Sequence, residues 1–399
     1  MAIPLHSRQY DVIVVGMGPA GASTAYELGR KGISVLGFDK QIHPRYKVCG
    51  GGLSARIEGI LPSDFKTVVE GNVYRVQFTY GGKESFFIEF PQPVAYMVMR
   101  PTFDRWLVEK ARQVGAEILE DETVVAIQEL EDGVEVATGK GRYRGRIVIG
   151  ADGALSVVAQ QCFPGRGFRK IPALESEYVG EIPHVFQQSQ TALISLRAAK
   201  KGYGWIFPKE KGLSLGVGEF VRGTNRPRRS FEDFVRHEPA LAGLSIPVPL
   251  GHPLPIANQQ IHRNGHRWTG SLVSRRAVLV GDAGHLVDPL LGEGIFYAIR
   301  SGQLAAASVA ATLRNPAHRL IEYERHAEAE FGPEFRIAAR LAKIIYGLPR
   351  SWHGWAGRTF PDAYQRALRR YCEYLQGRET YQTLWHKILQ RIKGPFGRG

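Results

Sequence analysis

The sequence predicts a mixed α/β fold in which one domain is interrupted by an antiparallel domain and followed by a helical extension. Three observations predict it. An apolar run at residues 11–15 leads directly into a glycine-rich turn at 16–21. A second such run and turn follow about 260 residues later, at 277–284. Between them, residues from about 172 to 267 are strand-like and rich in Pro and Gly, which is typical of antiparallel sheet.

The first glycine-rich turn has the sequence context of a nucleotide-binding loop. The β-branched run before it is expected for a strand buried on both faces, and residues 20–30 indicate a helix. In this G-x-G-x-x-G pattern, Gly16 permits the tight turn, Gly18 lets the backbone approach phosphates, and Gly21 lets helix and strand pack closely. The helix N-terminus adds free N–H groups and a positive dipole end.

Two further features identify the cofactor. A predicted strand at 34–38 ends on Asp39, about 20 residues beyond the loop, where an acid accepts ribose hydroxyls. Much later, Gly281-Asp282 precedes a G-E-G-I segment at 292–295. A lone G-x-G-x-x-G indicates only a pyrophosphate, whereas this combination predicts one long cofactor held at both ends. We interpret it as FAD in a Rossmann-like domain.

Composition excludes several protein classes. The 399 residues, 44% of them apolar, are ample for two joined domains. No apolar run approaches the ~18 residues of a membrane span, and residues 1–9 lack a signal-peptide core. We therefore expect a protein that is cytoplasmic or peripheral to a membrane. Cys49, Cys162 and Cys372 are too widely separated for a disulfide framework or a Cys-based zinc site, and no metal is predicted.

The net charge of +14 is concentrated near the C-terminus. From Arg336 onward the sequence contains thirteen Lys and Arg but only three acidic residues, so residues 336–399 carry a net charge of +10. A basic tail suits an anionic membrane surface or nucleic acid, or it is simply a solvated helix surface. No nucleic-acid module accompanies it, so the membrane is favoured and no nucleic acid is predicted. The tail also has an apolar stripe at helical spacing: Ile337, Leu341, Ile344 and Leu348.

These patterns give approximate domain boundaries. The FAD-binding domain is predicted to comprise residues 8–171 and 268–330, with a hairpin insertion at about 73–99. Residues 172–267 form the predicted substrate domain. Residues 331–399 form the predicted basic helical extension.

The order of the motifs resembles a known family. G-x-G-x-x-G, an A-D-G turn at 151–153 and G-D followed by P-x-x-G-E-G-I occur in flavoproteins with the para-hydroxybenzoate hydroxylase type of FAD fold. Two segments resemble the geranylgeranyl reductase branch of these proteins. They are K-x-C-G-G-G at 47–52 and Y-x-W-x-F-P at 203–208, the latter followed by Gly216 and Gly218. The resemblance covers roughly residues 8 to 315.

The resemblance implies specific cofactor contacts. Arg100 would neutralise the pyrophosphate, Asp282 would accept the ribityl hydroxyls, and Val124 would offer its backbone to the adenine. The helix after G-E-G-I would direct its positive end at the isoalloxazine. With the loop glycines, the predicted FAD contacts are Gly16, Gly18, Ala20, Gly21, Asp39, Cys49, Gly50, Gly52, Arg100, Val124, Asp282, Gly294 and Ile295.

The predicted substrate contacts are Tyr203, Trp205 and Phe207. Their alternate spacing places them on one face of a strand, where they wall an apolar tunnel or pack the core. The family motif favours a tunnel for a polyprenyl chain. Cys49 is the candidate catalytic residue, for proton delivery or substrate positioning, although a buried cysteine is often an inert hydrophobe.

The resemblance implies an FAD-dependent reductase that saturates carbon–carbon double bonds of geranylgeranyl groups. The flavin N5 would deliver hydride and the alkene would be protonated. NADPH, or a reduced electron carrier, would supply the electrons, and a geranylgeranyl-bearing lipid or diphosphate would be the substrate. Two alternatives stay open. One is a flavin monooxygenase or halogenase of the same fold, since halogenases carry a similar W-x-W-x-I-P stretch. The other is a flavoprotein that passes electrons to a quinone.

Overall fold

The structure is a computed structural model that describes most of the chain as two compact units. The described residues are 5–80, 85–165, 170–187, 190–196, 198–220, 226–257, 259–262, 265–268, 271–315 and 317–393. Unit 1 comprises Met1–Lys47, Arg100–Lys170 and Leu254–Gly332. Unit 2 comprises Val48–Met99, Ile171–Pro253 and Pro333–Gly399.

Groups of consecutive strands belong in turn to unit 1 and unit 2 along the chain. In chain order the strands are β1 (Leu5–Val15), β2 (Val35–Phe38), β3 (Gly52–Ser54), β4 (Gly71–Val73), β5 (Arg75–Thr79), β6 (Ser85–Glu89), β7 (Ala95–Met97), β8 (Glu117–Leu119), β9 (Val124–Glu129), β10 (Val134–Thr138), β11 (Arg142–Gly150), β12 (Lys170–Val179), β13 (Thr191–Ser195), β14 (Gly202–Lys209), β15 (Gly212–Glu219), β16 (Leu250–Pro255), β17 (Gln259–His262), β18 (Gly265–Trp268) and β19 (Ala277–Leu279).

The α-helices are α1 (Pro19–Gly29), α2 (Arg100–Gln113), α3 (Val157–Cys162), α4 (His184–Gln187), α5 (Pro227–His237), α6 (Ile295–Arg314), α7 (Ile321–Gly347), α8 (Arg350–Thr359), α9 (Pro361–Leu375) and α10 (Tyr381–Lys393). The two longest α-helices of the described residues, α6 and α7, lie in the last third of the chain. No helix among the described residues is long and apolar enough to cross a membrane.

Unit 1 is built on one mixed sheet of order β8-β2-β1-β11-β10-β9, with β19 also paired to β11. The strand β1 runs parallel to β2 and to β11, and β19 runs parallel to β11. Residues Val12, Ile13 and Val14 are fully buried, as their β-branched run predicts. The early and late pieces of the chain therefore join in one sheet, which confirms the predicted α/β fold.

Unit 2 contains a sheet of order β16-β12-β15-β14-β13-β5-β6 and a smaller one of order β3-β7-β4. The predicted hairpin forms as the antiparallel pair β5–β6. It joins the larger sheet because β5 pairs in parallel with β13, from Thr191↔Arg75 to Ser195↔Thr79. The sequence-based boundaries placed this hairpin with the cofactor domain, whereas its contacts group it with β12–β15.

One face of the larger sheet in unit 2 carries a hydrophobic core. Ile206 and Leu215 lie in this core with Phe231 and Phe234 of α5. The strand-like reading of residues 172–267 missed this helix. Its two phenylalanines occupy positions i and i+3, and this pattern is too short to stand out in the sequence.

The C-terminal helices are an integral part of unit 2 rather than an appended extension. Phe335 and Ala338 of α7 are fully buried, and Tyr371 of α9 contacts Phe78 of β5 with ring centroids 5.5 Å apart. The predicted apolar stripe does not form one free surface. Ile337 is buried, whereas Ile344 is half exposed.

Candidate functional site

The glycine-rich loop of unit 1 has the close approaches that only glycine allows. A Cβ on Gly21 would lie 1.8 Å from the carbonyl oxygen of Gly16. Gly16 itself has a φ of +92°, and a Cβ there would lie 2.5 Å from the Ala151 oxygen. Gly18 precedes α1, and no side chain caps this helix N-terminus or places an acid in its first turn. The loop thus leaves free N–H groups where a phosphate would bind.

Asp39 lies beside this loop, at the end of β2. Its buried carboxylate accepts hydrogen bonds from the backbone N–H of Met17, at 3.0 Å, and of Gln41, at 3.0 Å. The carbonyl of Asp39 accepts the N–H of Glu122, two residues before Val124. The structure therefore places Asp39, at the end of β2, next to the segment that leads into Val124. These two residues were predicted to hold the ribose and the adenine. A carboxylate has about four acceptor positions, so ribose hydroxyls still find acceptors on Asp39.

A buried set of alternating charges extends from Asp39. Arg100 donates two hydrogen bonds of 2.8 Å to Asp104, four residues later on α2. Arg45 lies 3.2 Å from the same carboxylate through Nη1 and 3.5 Å from Asp39 through Nη2. A Cβ on Gly18 would lie 3.5 Å from Arg45 Nη2, so this guanidinium reaches the phosphate loop.

Sequence reasoning missed Arg45 and Asp104. The i,i+4 spacing of Arg100 and Asp104 was a signal for their pair. No pattern singled out Arg45. Asp104 is fully buried and occupies the hydrogen-bonding edge of Arg100, so Arg100 is partly neutralised by its own helix.

Asp282 lies at the N-terminus of α6. A Cβ on Gly294 would lie 3.4 Å from Asp282 Oδ1, and no side chain caps the helix that begins at Ile295. Burial raises the pKa of Asp282, while the positive charges of Lys47 and Arg100 act in the opposite direction. No hydrogen bond to this carboxylate is found among the described residues. It is therefore available to ligand hydroxyls.

These residues of unit 1 fit FAD. Open helix N-termini suit phosphate and a developing negative charge, and the carboxylates of the buried Asp39 and the partly exposed Asp282 suit sugar and ribityl hydroxyls. Ala20 lies in the same loop and packs against Gly281, whose Cβ would lie 2.9 Å from the Ala20 Cβ. The loop and the G-D segment, far apart in the chain, are thus adjacent in the fold.

In unit 2, the predicted substrate residues and the Cys49–Gly52 segment are in direct contact. The rings of Tyr203, Trp205 and Phe207 follow one another along β14 with centroids 6.2 Å apart. A Cβ on Gly50 would lie 2.9 Å from the Trp205 Nε1, and one on Gly52 would lie 3.0 Å from the Phe207 ring. Any larger residue at Gly50 or Gly52 would displace the aromatic rings.

The aromatic face of β14 is opposite its core face. Ile206, the intervening residue, lies in the hydrophobic core with α5. Tyr203 instead stacks on Phe220, and Phe220 stacks on Tyr346 of α7. The Trp205 indole Nε1–H is buried and has no hydrogen-bond partner among the described residues. This donor is available to an acceptor on a ligand.

Lys209, at the end of β14, is a further residue of this region that the sequence did not single out. It is buried, and its ammonium donates to the carbonyls of Gly50, Val98 and Gly51 at 2.7, 2.9 and 3.3 Å. Burial lowers the pKa of Lys209 to about 8, against the opposing influence of Cys49 and of nearby carboxylates. The only sequence signal was its position directly after the Y-x-W-x-F-P motif.

The three cysteines lie in different environments. Cys49 is partly exposed, and its Sγ accepts the N–H of Gly51 at 3.4 Å. Burial raises the pKa of the Cys162 thiol to about 12 and also raises that of Cys372, which is fully buried. Of the three, Cys49 is the one that adjoins the glycine segment packed against the aromatic face of β14.

Comparisons with known proteins identify the family of this chain. A family described as an FAD binding domain matches residues 9–330. A geranylgeranyl diphosphate reductase of Rhodobacter capsulatus is 30% identical over 328 residues, covering 77% of this chain and 76% of the relative. A digeranylgeranylglycerophospholipid reductase of Methanopyrus kandleri is 29% identical over 373 residues, covering 84% and 87%.

Solved structures share the fold. A geranylgeranyl bacteriochlorophyll reductase-like protein from Thermoplasma acidophilum superposes with a TM-score of 0.73 at 20% identity, covering 98% of this chain and 97% of the other. A flavin-dependent brominase superposes with a TM-score of 0.69 at 21% identity, covering 97% and 100%. These likenesses establish the fold. With the family match and the relatives, they show that the chain is an FAD-dependent oxidoreductase and belongs to the geranylgeranyl reductase family.

Proposed function

We propose that this protein saturates carbon–carbon double bonds of geranylgeranyl groups, using FAD as its cofactor. The observation that carries the proposal is the contact between the Cys49–Gly52 segment and the aromatic face of β14. Gly50 and Gly52 leave no room for a Cβ against Trp205 and Phe207, so a partly exposed thiol lies next to a wall of aromatic rings. Such a wall suits an apolar, branched hydrocarbon.

The chemistry requires both features. An isolated trisubstituted alkene is a poor hydride acceptor, so its saturation needs a proton as well as a hydride. Reduced FAD, when bound, supplies the hydride. Tyr203, Trp205 and Phe207 would surround the alkene and exclude water, which would otherwise compete for a developing cation. Cys49 would hold the proton at Sγ and release it to the alkene carbon, and it would then be reprotonated from solvent.

The cofactor contacts follow from unit 1. Asp39 would accept ribose hydroxyls, Asp282 the ribityl hydroxyls, and the N-terminus of α1 the pyrophosphate. Arg45 would add its charge at the phosphate loop, because it reaches Gly18 while Arg100 is held by Asp104. The family pattern also assigns Cys49, Gly50 and Gly52 to the flavin, and that assignment remains a prediction.

The electrons would come from NADPH. Each saturated double bond takes up a hydride and a proton, so the flavin must receive two electrons per turnover. The chain has no second G-x-G-x-x-G loop, so NADPH would bind transiently. A reduced electron carrier is the alternative donor. Rates of anaerobic flavin bleaching by NADPH, NADH and a reduced ferredoxin would separate these donors.

The test of the function is a single-turnover reaction without oxygen. Photoreduced holoenzyme is mixed with geranylgeranyl diphosphate or with a geranylgeranyl glycerophospholipid. We expect flavin reoxidation together with a product that has gained H2, detected by mass spectrometry. Reoxidation by a quinone but by neither prenyl compound would instead identify an electron-transfer flavoprotein. Substrate hydroxylation or halogenation on admission of oxygen and halide would identify the halogenase-like alternative.

We also propose that an aromatic patch on α8, formed by Trp352, Trp355 and Phe360, contacts an anionic lipid surface. These side chains are 37%, 49% and 54% exposed, and their rings lie 6.3 and 5.7 Å apart in sequence order. Indole rings favour the interface between water and lipid. The exposed basic residues of α7, α8 and α9 include Arg340, Lys343, Arg358 and Arg366. Each basic residue near an anionic membrane contributes about 1 kcal/mol.

Vesicle sedimentation tests the aromatic patch. The full-length protein is expected to sediment with phosphatidylglycerol vesicles at low salt and to be released at high salt. The double substitution Trp352→Ser and Trp355→Ser should reduce sedimentation while FAD content stays normal. Leu155→Ser, which also removes an exposed apolar side chain, serves as the control. Equal binding of the double variant, or equal binding to neutral phosphatidylcholine vesicles, would refute this surface.

A further inference from the structure

Lys209 is a buried cation held by backbone carbonyls rather than by a carboxylate. Its three N–H groups are matched by three acceptors, the oxygens of Gly50, Gly51 and Val98, at 2.7, 3.3 and 2.9 Å. No carboxylate lies within ion-pair distance of it among the described residues. Burying a charged side chain without a direct counter-ion costs free energy. Lysines therefore rarely occupy such positions without a specific role.

Two of the three acceptors belong to the segment that carries Cys49. That segment could not adopt this conformation with ordinary residues. Gly51 has a φ of +62°, and a Cβ there would lie 2.2 Å from the Val98 oxygen and 2.7 Å from Lys209 Nζ. The ammonium therefore joins the glycine segment to Val98, which follows β7, and to the end of β14. The ammonium thereby holds the backbone of the segment that carries the Cys49 thiol.

The charged groups that influence the pKa of Lys209 belong to three segments of the chain. After burial itself, Cys49 has the largest influence on the pKa of Lys209, followed by Glu177, Glu70 and Glu175. Glu177 and Glu175 are on β12, and Glu70 precedes β4. The interaction with Cys49 is reciprocal. A negative sulfur stabilises the ammonium, and the ammonium stabilises a negative sulfur to the same extent.

We propose that Lys209 is a positioning residue for Cys49, which holds the Cys49–Gly52 segment against the aromatic strand and keeps a positive charge beside the sulfur. The role in prenyl reduction rests on the function proposed above. In that reaction Cys49 releases a proton from Sγ to the alkene carbon, which leaves a negative sulfur. The Lys209 ammonium stabilises that charge until solvent returns the proton. Lys209 itself neither gains nor loses a proton in this step.

Lysine suits both parts of the role. Three donors on a tetrahedral ammonium match three carbonyls that approach from different directions, whereas a planar guanidinium presents its donors in one plane. Glutamine in this position would keep two donors for the carbonyls and remove the charge. Methionine would keep the length of the side chain and remove both the donors and the charge. These substitutions therefore separate the mechanical part of the role from the electrostatic part.

The test is the pH dependence of Cys49 alkylation in the holoenzyme, followed by mass spectrometry of the modified peptide. The other two thiols react slowly near neutral pH because burial raises their pKa values, and Cys49→Ala gives the background. In Lys209→Gln we expect the midpoint of the alkylation profile to move upward by about one pH unit or more. Lys209→Arg should restore much of the shift. Lys211→Met removes an exposed positive charge two residues away and should leave the profile unchanged.

The outcomes distinguish this inference from the proposed function. An unchanged alkylation profile in folded, FAD-loaded Lys209→Gln would overturn the inference whatever the enzyme reduces. A shifted profile in a protein that reduces no prenyl compound would support the placement of Lys209 and refute the function. If both hold, the rate of prenyl reduction in Lys209→Gln should fall and its pH dependence should move with the alkylation profile. Should the Gln variant fail to fold, Lys209→Met, which removes both the donors and the charge, takes its place, and an unchanged alkylation profile in folded, FAD-loaded Lys209→Met would overturn the inference.

Discussion

Two side chains of the candidate sites, the partly exposed Asp282 and the buried Trp205, have polar groups without hydrogen-bond partners among the described residues. The Asp282 carboxylate accepts no hydrogen bond among the described residues, and the Trp205 indole N–H donates none. A buried polar group without a partner costs about 1–3 kcal/mol, and a ligand that supplies the partner recovers this free energy. We infer that these groups contribute to ligand binding rather than to the stability of the free protein.

The first prediction concerns Asp282. Asp282→Ala should weaken FAD binding by roughly 10- to 150-fold, since a hydrogen bond to a charged group contributes about 1.5–3 kcal/mol. Asp132→Ala, which removes an exposed carboxylate of unit 1, is the control. Flavin content and FAD titration by fluorescence quenching are the measurements. A wild-type protein that is colourless and whose unfolding temperature does not change on addition of FAD would contradict the flavoprotein assignment itself.

The second prediction concerns pH and Lys209. Its pKa in the folded protein is lowered to about 8, from an ordinary value of 10.5. Between these values the unfolded chain holds more protons than the folded protein, so the free energy of unfolding rises with pH. The gain over this window is on the order of 3 kcal/mol. Lys209→Met lacks this contribution.

Thermal unfolding at a series of pH values measures the effect of Lys209. The unfolding temperature of the wild type relative to Lys209→Met should increase as the pH rises from about 8 toward 10. Lys211→Met provides the reference for an exposed lysine. A difference between wild type and Lys209→Met that stays constant across this range would show that Lys209 titrates normally.

At the scale of elements, β14 separates two functions on its two faces. Ile206 points into the core of unit 2, while Trp205 and Phe207 contact the glycine segment. Because successive side chains of a strand alternate between faces, neighbouring residues on β14 can be substituted to test the faces independently.

The third prediction uses this pair of neighbours. Trp205→Phe should leave FAD content near normal and change which double bonds, or how many, are reduced. Ile206→Ala should lower stability by about 2–5 kcal/mol without altering the pattern of products. Denaturation curves and product mass spectra give the two readouts. Loss of flavin and of stability in Trp205→Phe would identify Trp205 as a core residue.

The N-terminus of α6 shows how an element positions the cofactor residues. Gly302 packs against α1, where a Cβ would lie 2.7 Å from the Ala20 oxygen. Ser301 accepts the N–H of Gly281 at 3.0 Å. These two contacts hold both the G-D segment and the phosphate loop against the helix pair α1 and α6.

At the scale of the whole molecule, the C-terminal helices supply part of the core of unit 2. They bury Phe335, Cys372 and Tyr374 and contribute ring contacts to Phe78 and Tyr80. The net charge of +10 in residues 336–399 is therefore carried by helices that also form a core.

The fourth prediction is that a chain ending at residue 335 fails to fold in unit 2. Removing α8–α10 and residues 336–347 of α7 exposes the apolar surface of β5 and takes away the ring contacts of Tyr371 with Phe78 and of Tyr364 with Tyr80. The measurements are limited proteolysis and thermal unfolding of the truncated chain. The double variant Trp352→Ser and Trp355→Ser, which keeps all the helices, is measured for comparison. A truncated chain with a native unfolding transition would show that the tail is dispensable for folding.

The sequence by itself determined the nucleotide-binding core of unit 1. The run at β1, the glycines of the loop, Asp39 and the G-D segment are encoded in short stretches whose glycine spacing and β-branched residues act locally. It also placed Tyr203, Trp205 and Phe207 on one face of a strand, because a strand has a fixed period of two.

Only the tertiary structure decided which distant residues meet. Arg45 approaches Gly18 and Asp104, and Lys209 approaches the carbonyls of Gly50 and Gly51, through pairings that no local pattern encodes. The parallel pairing of β5 with β13 and the buried C-terminal helices likewise depend on contacts between remote segments. Burial changes the charge properties of Lys209 and Asp282, and burial is a property of the folded chain, so sequence patterns could not reveal it.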